Sequence, residues 1–355
     1  MLRTVELAGS PRERGRRHGQ LLGGGIRRLR RGLLTYLARL SLYTAAVPLF
    51  GLLVVLARRL WPFIPSRLRE EMTGVAAGAE LGLGSVLLIN VLDDLANNSP
   101  RCSALAAGGA LTDQGFYLMG RNLDYPLFTG YLTELQTLFL MAPDAGQPLA
   151  SLAWPGYVGV CTGLNRAGVA LAQLAAMSRD RTLKGVPAAL RFRQALEAEA
   201  TVGGVAAHIL RLPGTIGNNV MLCGPRDAAV LELSARRGVV RRPEKGLITA
   251  TNHYQSPAMA ALRGRFPPRP PLSPLPAYMF TDTYSEARNA RLQELARGRR
   301  LAPEDLQQIL AAREVANPGT VVCTVCAPSQ GRLWVAMGEE PPVNRGPFAE
   351  IRPWG

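Results

Sequence analysis

Arg101-Cys102-Ser103-Ala104-Leu105-Ala106-Ala107 and, nineteen residues after the cysteine, Arg121-Asn122-Leu123-Asp124-Tyr125 decide how this chain folds. Gly108-Gly109 and Asp113-Gln114-Gly115 lie between them, so the two apolar runs read as strands that fold back on each other. Residues two apart on a strand share a face, which puts Arg121 and Leu123 on one side, with Asp124 where the strand ends at Pro126. A cation and a carboxylate can therefore meet one thiol. A nearby cation favours the thiolate, the nucleophilic form. Were Cys102 the first residue of a chain, its own α-amino group would be the base.

Outward from this pair the texture differs on the two sides. Residues 1–100 read as mostly helical: arginines with interspersed leucines over 15–40, an apolar stretch over 40–60, a helix over 66–79, and an apolar segment over 86–95 after the Gly82-Leu83-Gly84 break. Asn97-Asn98-Ser99-Pro100 reads as a polar turn just ahead of Cys102, exposed as a self-cleavage site must be. Beyond Cys102 come short apolar runs at 103–107, 116–121, 137–141, 149–153, 158–163, 168–174, 219–223, 229–234, 247–251, 320–326 and 332–337, separated by Gly, Asp or Pro. Helical stretches interrupt them at 188–200 (continuing to 210), 285–297 and 302–312, and a Pro-rich loop over 266–276 reads as the edge of a site. Helices, many antiparallel strands, then helices predict a layered α+β domain.

Composition narrows the function. The 355 residues carry a net charge of +15, nearly all from arginine, since Lys184 and Lys245 are the only lysines. The arginines are spread through every region apart from a denser run over 12–31, and no nucleic-acid-binding module appears, so no nucleic-acid partner is expected. Five cysteines (Cys102, Cys161, Cys223, Cys323, Cys326) are an odd number at irregular spacing, which argues against a disulfide framework. Cys323-Thr324-Val325-Cys326 has the spacing of a metal pair, but on a strand residues three apart face opposite ways. His18, His208 and His253 are too dispersed for a zinc site, and no nucleotide or dinucleotide fingerprint is present, so neither metal nor cofactor is expected. Asp93-Asp94 reads as a helix-end pair. The start, Met1-Leu2-Arg3-Thr4-Val5-Glu6, has no apolar core of a signal peptide, which predicts a cytoplasmic or peripheral protein. The apolar stretch over 40–60, flanked by Arg39, Arg58 and Arg59 and interrupted by Pro48, is too short for a transmembrane span. It reads either as a buried helix or as an interfacial one that touches a membrane surface.

Cys102-Ser103 followed by Gly120-Arg121-Asn122-Leu123-Asp124-Tyr125 resembles the nucleophile region of several N-terminal-nucleophile hydrolases. These are the choloylglycine hydrolases, the acid ceramidase and N-acylethanolamine acid amidase group, and the acyl-coenzyme A:6-aminopenicillanic acid acyltransferases. Further elements resemble the last family: Glu6-Leu7-Ala8-Gly9-Ser10-Pro11 with Gly15 and His18-Gly19, Gly74-Val75-Ala76-Ala77-Gly78-Ala79, Gly163-Leu164-Asn165-Arg166-Ala167-Gly168-Val169, and Thr251-Asn252-His253-Tyr254. The resemblance implies an αββα sandwich, two antiparallel sheets between helical layers. It implies a precursor that cuts itself between Arg101 and Cys102 into a small chain, 1–101, and a catalytic domain, 102–355, which stay associated. Cys102 would be the nucleophile, Arg121 would stabilise its thiolate, Asp124 would hold the α-amine, and the side-chain amide of Asn252 would donate to the oxyanion. An arginine after the Pro-rich loop completes the family's site; Arg288 is the candidate and Arg291 its competitor, with Glu286 where relatives often carry serine beside the arginine. Asn165 is either a further polar site residue or a turn residue. Arg101 stands where a small or apolar residue is usual. The function implied is hydrolysis of the linear amide of an N-acyl small molecule, with transfer of the acyl group to an amine as the within-class alternative; the apolar stretch over 40–60 suggests a fatty acyl group. A non-catalytic lipid-surface protein is the rival from another class.

Overall fold

The computed structural model describes residues 2–42, 49–96, 101–266 and 268–355. The polar turn expected at 97–100 and the segment around Pro48 lie outside the described residues. Ten helices are present among those described: α1 (Pro11–Ser41), α2 (Leu49–Arg58), α3 (Ser66–Gly78), α4 (Leu83–Ala96), α5 (Thr129–Glu134), α6 (Ala188–Ala198), α7 (Val202–Arg211), α8 (Pro257–Ala260), α9 (Asp282–Ala296) and α10 (Pro303–Ala311). The strands are β1 (Arg3–Gly9), β2 (Ser103–Ala107), β3 (Leu118–Asp124), β4 (Thr137–Pro143), β5 (Leu149–Ala153), β6 (Thr162–Asn165), β7 (Ala170–Ala175), β8 (Asn218–Cys223), β9 (Ala228–Leu233), β10 (Gly238–Arg241), β11 (Leu247–Ala250), β12 (Thr320–Ala327), β13 (Arg332–Ala336) and β14 (Phe348–Ile351).

The strands form two sheets, one ordered β1-β4-β5-β6-β7-β8-β9-β10 and the other β11-β2-β3-β12-β13-β14. Their facing surfaces enclose one apolar core, to which Cys102, Ala104, Ala106, Met119 and Leu123 contribute from one sheet and Leu152, Leu164, Ala172 and Leu174 from the other. The outer face of the first sheet packs on α6 and α7 through Phe192, Leu196, Val205 and Ile209. The outer face of the second packs on α9 and α10 through Leu292, Leu306 and Leu310. Both faces of each sheet are covered, so the strands read as nearly continuous apolar runs instead of alternating ones. The result is the helix–sheet–sheet–helix sandwich expected. Cys323 and Cys326 fall in different cores, one under α10 and one between the sheets, as spacing by three on β12 requires.

Helix α1 runs through Gly23-Gly24-Gly25 to Ser41; a helix packed along one side tolerates glycines that an isolated helix does not. Two features depart from the sequence-based expectation. The N-terminal segment is not only helical: β1 pairs in parallel with β4, from Arg3 opposite Thr137 to Gly9 opposite Pro143, whereas the other pairings are antiparallel. Strands β10 and β14 were not expected; they are short and only partly buried, and so carry no long apolar run.

The glycines near the start serve close packing. A Cβ at Gly15 would stand 2.0 Å from the Glu71 carbonyl oxygen, and one at Gly78 would stand 2.1 Å from that of Arg16. Any larger residue would push α1 and α3 apart. Beneath them His18 accepts the Gly156 N–H at 2.8 Å and packs on Phe139; burial lowers its pKa to about 3, so the ring is neutral.

Candidate active site

Cys102 sits immediately before β2, 1% exposed, at the inner face of the second sheet. Antiparallel pairing of β2 with β3 sets Ala104 opposite Arg121 and so brings the arginine beside the cysteine. The Arg121 side chain crosses between the sheets: it donates to Thr162 Oγ1 at 2.7 Å and to the Gln173 carbonyl at 2.6 Å, and its Nη2 lies 3.8 Å from Cys102 Sγ. Burial raises the thiol's pKa, and Arg121 pulls it back. The sulfur is thus a neutral thiol held next to a cation.

Asp124 ends β3. Its backbone carbonyl accepts the Arg101 N–H at 2.7 Å. Its carboxylate receives Arg288 Nη1 at 2.9 Å and the Thr320 hydroxyl at 2.7 Å. Both ends of the Asp124–Arg288 pair are fully buried. Burial raises Asp124 to about 6, with Arg288 and Thr320 acting against the rise. At neutral pH the carboxylate is still mostly ionised, in keeping with the pair's geometry.

Asn252 follows β11 and links the groups. Its Oδ1 accepts the Cys102 backbone N–H at 2.9 Å and Arg288 Nη2 at 2.8 Å. Its Nδ2 donates to the Ala175 carbonyl at 2.8 Å, and its own N–H donates to Ser285 Oγ at 2.9 Å. The resemblance gave Asn252 the part of an oxyanion donor. Its carbonyl oxygen faces Cys102, and its amide donates to Ala175 on β7. The reason is local: Arg288 and Cys102 both present donors, which only an oxygen can meet.

The structure thus brings together Arg101, Cys102, Arg121, Asp124, Asn252 and Arg288. It separates the competitors. Arg291 lies at the surface with Glu294 and Glu314. Asn165 accepts the Val169 N–H and donates to the Leu196 and Glu199 carbonyls, a hairpin role. Sequence reasoning missed Thr320, Ser285, Thr162 and Gln173. Ser285 had a readable signal, since it lies one helical turn before Arg288 on α9. Thr162 and Gln173 reach the site because the two sheets face each other, and Thr320 because β12 pairs with β3 and sets it opposite Asp124.

An apolar pocket adjoins these residues, lined among others by Leu33, Leu123, Tyr125, Phe128, Trp154 and Gln173. A second cavity, reaching α2 and Pro268–Pro271, shares Leu33, Leu92, Asp93, Tyr125 and Phe128 with it. Both cavities are mainly apolar, and the first borders Leu123 of β3 and Gln173 of β7. Asp93 and Asp94, read from sequence as a helix-end pair, lie in the wall of the first. Tyr125 donates to Asp93 at 2.6 Å, and Asp94 accepts the Ala188 N–H at 2.9 Å and the Thr215 hydroxyl. Burial raises Asp93 to about 6 and Asp94 to about 7. A carboxyl whose folded pKa is raised favours the folded state most below its unfolded value and loses that contribution as pH rises through the folded value. Asp94→Asn keeps the acceptor and cannot ionise. It is expected to exceed the wild-type Tm, and by more at pH 8 than at pH 5, in thermal melts at the two pH values.

A cysteine at the head of an inner strand of an αββα sandwich, with its amide nitrogen and its thiol each held by a separate polar partner, defines the N-terminal-nucleophile class of fold. The pattern of the family described as acyl-coenzyme A:6-aminopenicillanic acid acyl-transferase matches residues 111–339, and the chain belongs to that family. The match takes in Arg121, Asp124, Asn252 and Arg288, and Cys102 stands just ahead of it. An uncharacterized protein of Archaeoglobus fulgidus is 27% identical over 220 residues, 54% of this chain and 36% of the relative. Protein dcd1A of Dictyostelium discoideum is 22% identical over 240 residues, 61% of this chain and 54% of the relative. The chain thus spans about a third to a half of these relatives' lengths. Among solved structures, the Caenorhabditis elegans N-acylethanolamine-hydrolyzing acid amidase ortholog is similar with a TM-score of 0.46 at 18% identity, covering 64% of this chain and 93% of that one. Among the described residues no helix is long and apolar enough to cross a membrane.

Proposed function

We propose that this protein cuts itself at Arg101–Cys102 and then cleaves the linear amide of N-acyl small molecules through a Cys102 acyl-enzyme. The observation that carries the reading is the pair of contacts on Cys102: its amide nitrogen 2.9 Å from Asn252 Oδ1 and its sulfur 3.8 Å from Arg121 Nη2. Nitrogen and sulfur are the two atoms an N-terminal cysteine uses, one as base and one as nucleophile.

In the first stage Cys102 Sγ bonds to the Arg101 carbonyl carbon, the Arg101–Cys102 C–N bond breaks, and the thiol proton ends on the departing nitrogen. Water then hydrolyses the thioester, leaving an Arg101 carboxylate and a Cys102 with free amine and thiol. In the second stage that amine takes the thiol proton as Sγ attacks a substrate amide, and returns it to the leaving amine. Asn252 Oδ1 holds the amine, Asp124 balances its positive form, and Arg121 favours the thiolate. Asn252 Nδ2 carries two hydrogens, one of which donates to Ala175; donation to an oxyanion does not require that bond to break. Strand β1, paired along its length with β4, keeps the 1–101 chain in the sheet after the cut.

The apolar cavities support a fatty acyl chain as the acyl group. Leu92→Trp, at a position that lines both of them, is expected to lower kcat/KM for long-chain N-acyl amides by about tenfold or more while leaving short-chain ones within a factor of about three. A chain-length series measured on both proteins checks this. Passage of the acyl group to an amine instead of water is the within-class alternative, and product analysis with an added amine distinguishes the two. The lipid-surface reading draws on α2, where Leu52 and Val55 are 46% and 55% exposed near Arg58 and Arg59. A wild-type chain that binds anionic vesicles yet neither splits nor cleaves any N-acyl amide would favour it.

A further inference from the structure

Arg101 is the part of the site that the family resemblance leaves unexplained, and its surroundings are specific. The side chain is 0% exposed. Its guanidinium carbon lies 4.6 Å from the ring centroid of Phe266 and 4.6 Å from that of Phe280. Its Nε donates to the Met279 carbonyl at 3.1 Å, and its backbone N–H to the Asp124 carbonyl at 2.7 Å. The next amide, that of the scissile bond itself, donates to Asn252 Oδ1. The peptide to be cut is therefore tied on both sides, at the Arg101 backbone and side chain and at the Cys102 nitrogen.

The clamp consists of Phe266, at the start of the Pro-rich loop, and Met279 and Phe280, in the turn ahead of α9, which also carries Arg288. None of it comes from the N-terminal segment. Taking a guanidinium out of water beside Arg288 is costly, and burial and that neighbour together depress its pKa to about 9. Two aromatic faces and a carbonyl offset the cost, because ring faces attract a desolvated cation. A small residue here would leave the carbonyl free to rotate away from the thiol.

We propose that Arg101 is a positioning residue for chain splitting: the Phe266–Phe280 clamp holds its guanidinium and so fixes the Arg101 carbonyl for attack by Cys102 Sγ. The inference rests on the self-cleavage reading above and adds to it the device that aims the bond. The sulfur adds to the Arg101 carbon and the amine of Cys102 departs with the thiol proton, so the clamp supplies no atom to the reaction and only restricts its geometry.

The test follows the appearance of the 1–101 and 102–355 fragments in freshly made full-length protein, by intact mass against time. Arg101→Met keeps length and loses charge; Arg101→Lys keeps the charge. Phe280→Leu removes a ring face; Phe280→Tyr keeps it. The first of each pair is expected to slow splitting by about tenfold or more, and the second to stay within about threefold of wild type. Melting temperatures measured on the same variants made with Cys102→Ala separate positioning from stability, since a structural role alone would make the rate follow Tm whatever the charge or ring. Splitting of Arg101→Met and Phe280→Leu at the wild-type rate would overturn this inference alone. A wild-type chain that never splits would overturn both it and the proposed function.

Discussion

Cys102→Ala is expected to give one unsplit chain of 38.2 kDa, where the wild type gives two fragments meeting between Arg101 and Cys102. Without the sulfur the N→S shift has no acceptor, so cutting stops at its first step. Without the cut there is neither an α-amine base nor a nucleophile, and turnover of any N-acyl amide should fall by about a thousandfold or more, to the level that binding alone supports. The variant should remain folded, because the cysteine is a small residue in a large inter-sheet core and loss of its sulfur costs about 1 kcal/mol. Intact mass, an amidase assay and a thermal melt on one preparation read all three. Cys102→Ser should split slowly, since its hydroxyl needs a stronger base than a thiol does.

Arg288→Met is expected to have the largest effect on stability. The guanidinium holds Asp124 on one side and Asn252 on the other, with no exposure at either end of the ion pair. Its removal leaves a buried carboxylate without its cation, and breaking such a pair costs about 3–5 kcal/mol. Asp124→Asn in the same protein removes the stranded charge and should restore part of the loss, which a double-mutant cycle measures. The pH dependence has a definite sign. Asp124 already titrates near 6, above its ordinary 3.8, so its contribution to stability is greatest below about pH 4 and is lost as pH rises through 6. Without Arg288 the carboxyl is raised further, and the Tm deficit should be larger at pH 8 than at pH 5. Equal deficits at the two pH values would mean that the arginine acts through packing alone.

Much of the sandwich could be read from one sequence because burial on both faces leaves a plain mark. The run 149–153 appears as a strand with the expected bounds, and 103–107 likewise. Strand boundaries moved where tertiary pairing extended them: β3 continues to Asp124 because β12 pairs with it as far as Thr320. Strand β1 was missed because an edge strand with one buried face and a charged exterior looks, over seven residues, like the lead-in to a helix. Among site residues, Cys102, Arg121 and Asp124 were legible from local spacing, and Asn252 and Arg288 only through resemblance. Asn252 shows what the fold adds, since the donors of Arg288 and Cys102 fix which way its oxygen points.

By itself the sequence determined which chemistry is present: a cysteine, a cation and a carboxylate on two strands that turn back on each other, with apolar runs enough for two sheets. Those are properties of composition and short-range periodicity, and they survive without knowledge of any distant contact. Only the tertiary structure decided what surrounds that cysteine. The clamp on Arg101, the oxygen of Asn252 on the scissile nitrogen and the Thr320 hydroxyl on Asp124 join residues about 150 or more positions apart. Such contacts leave no periodic trace in the chain, because they are set by how two sheets and a helix stack.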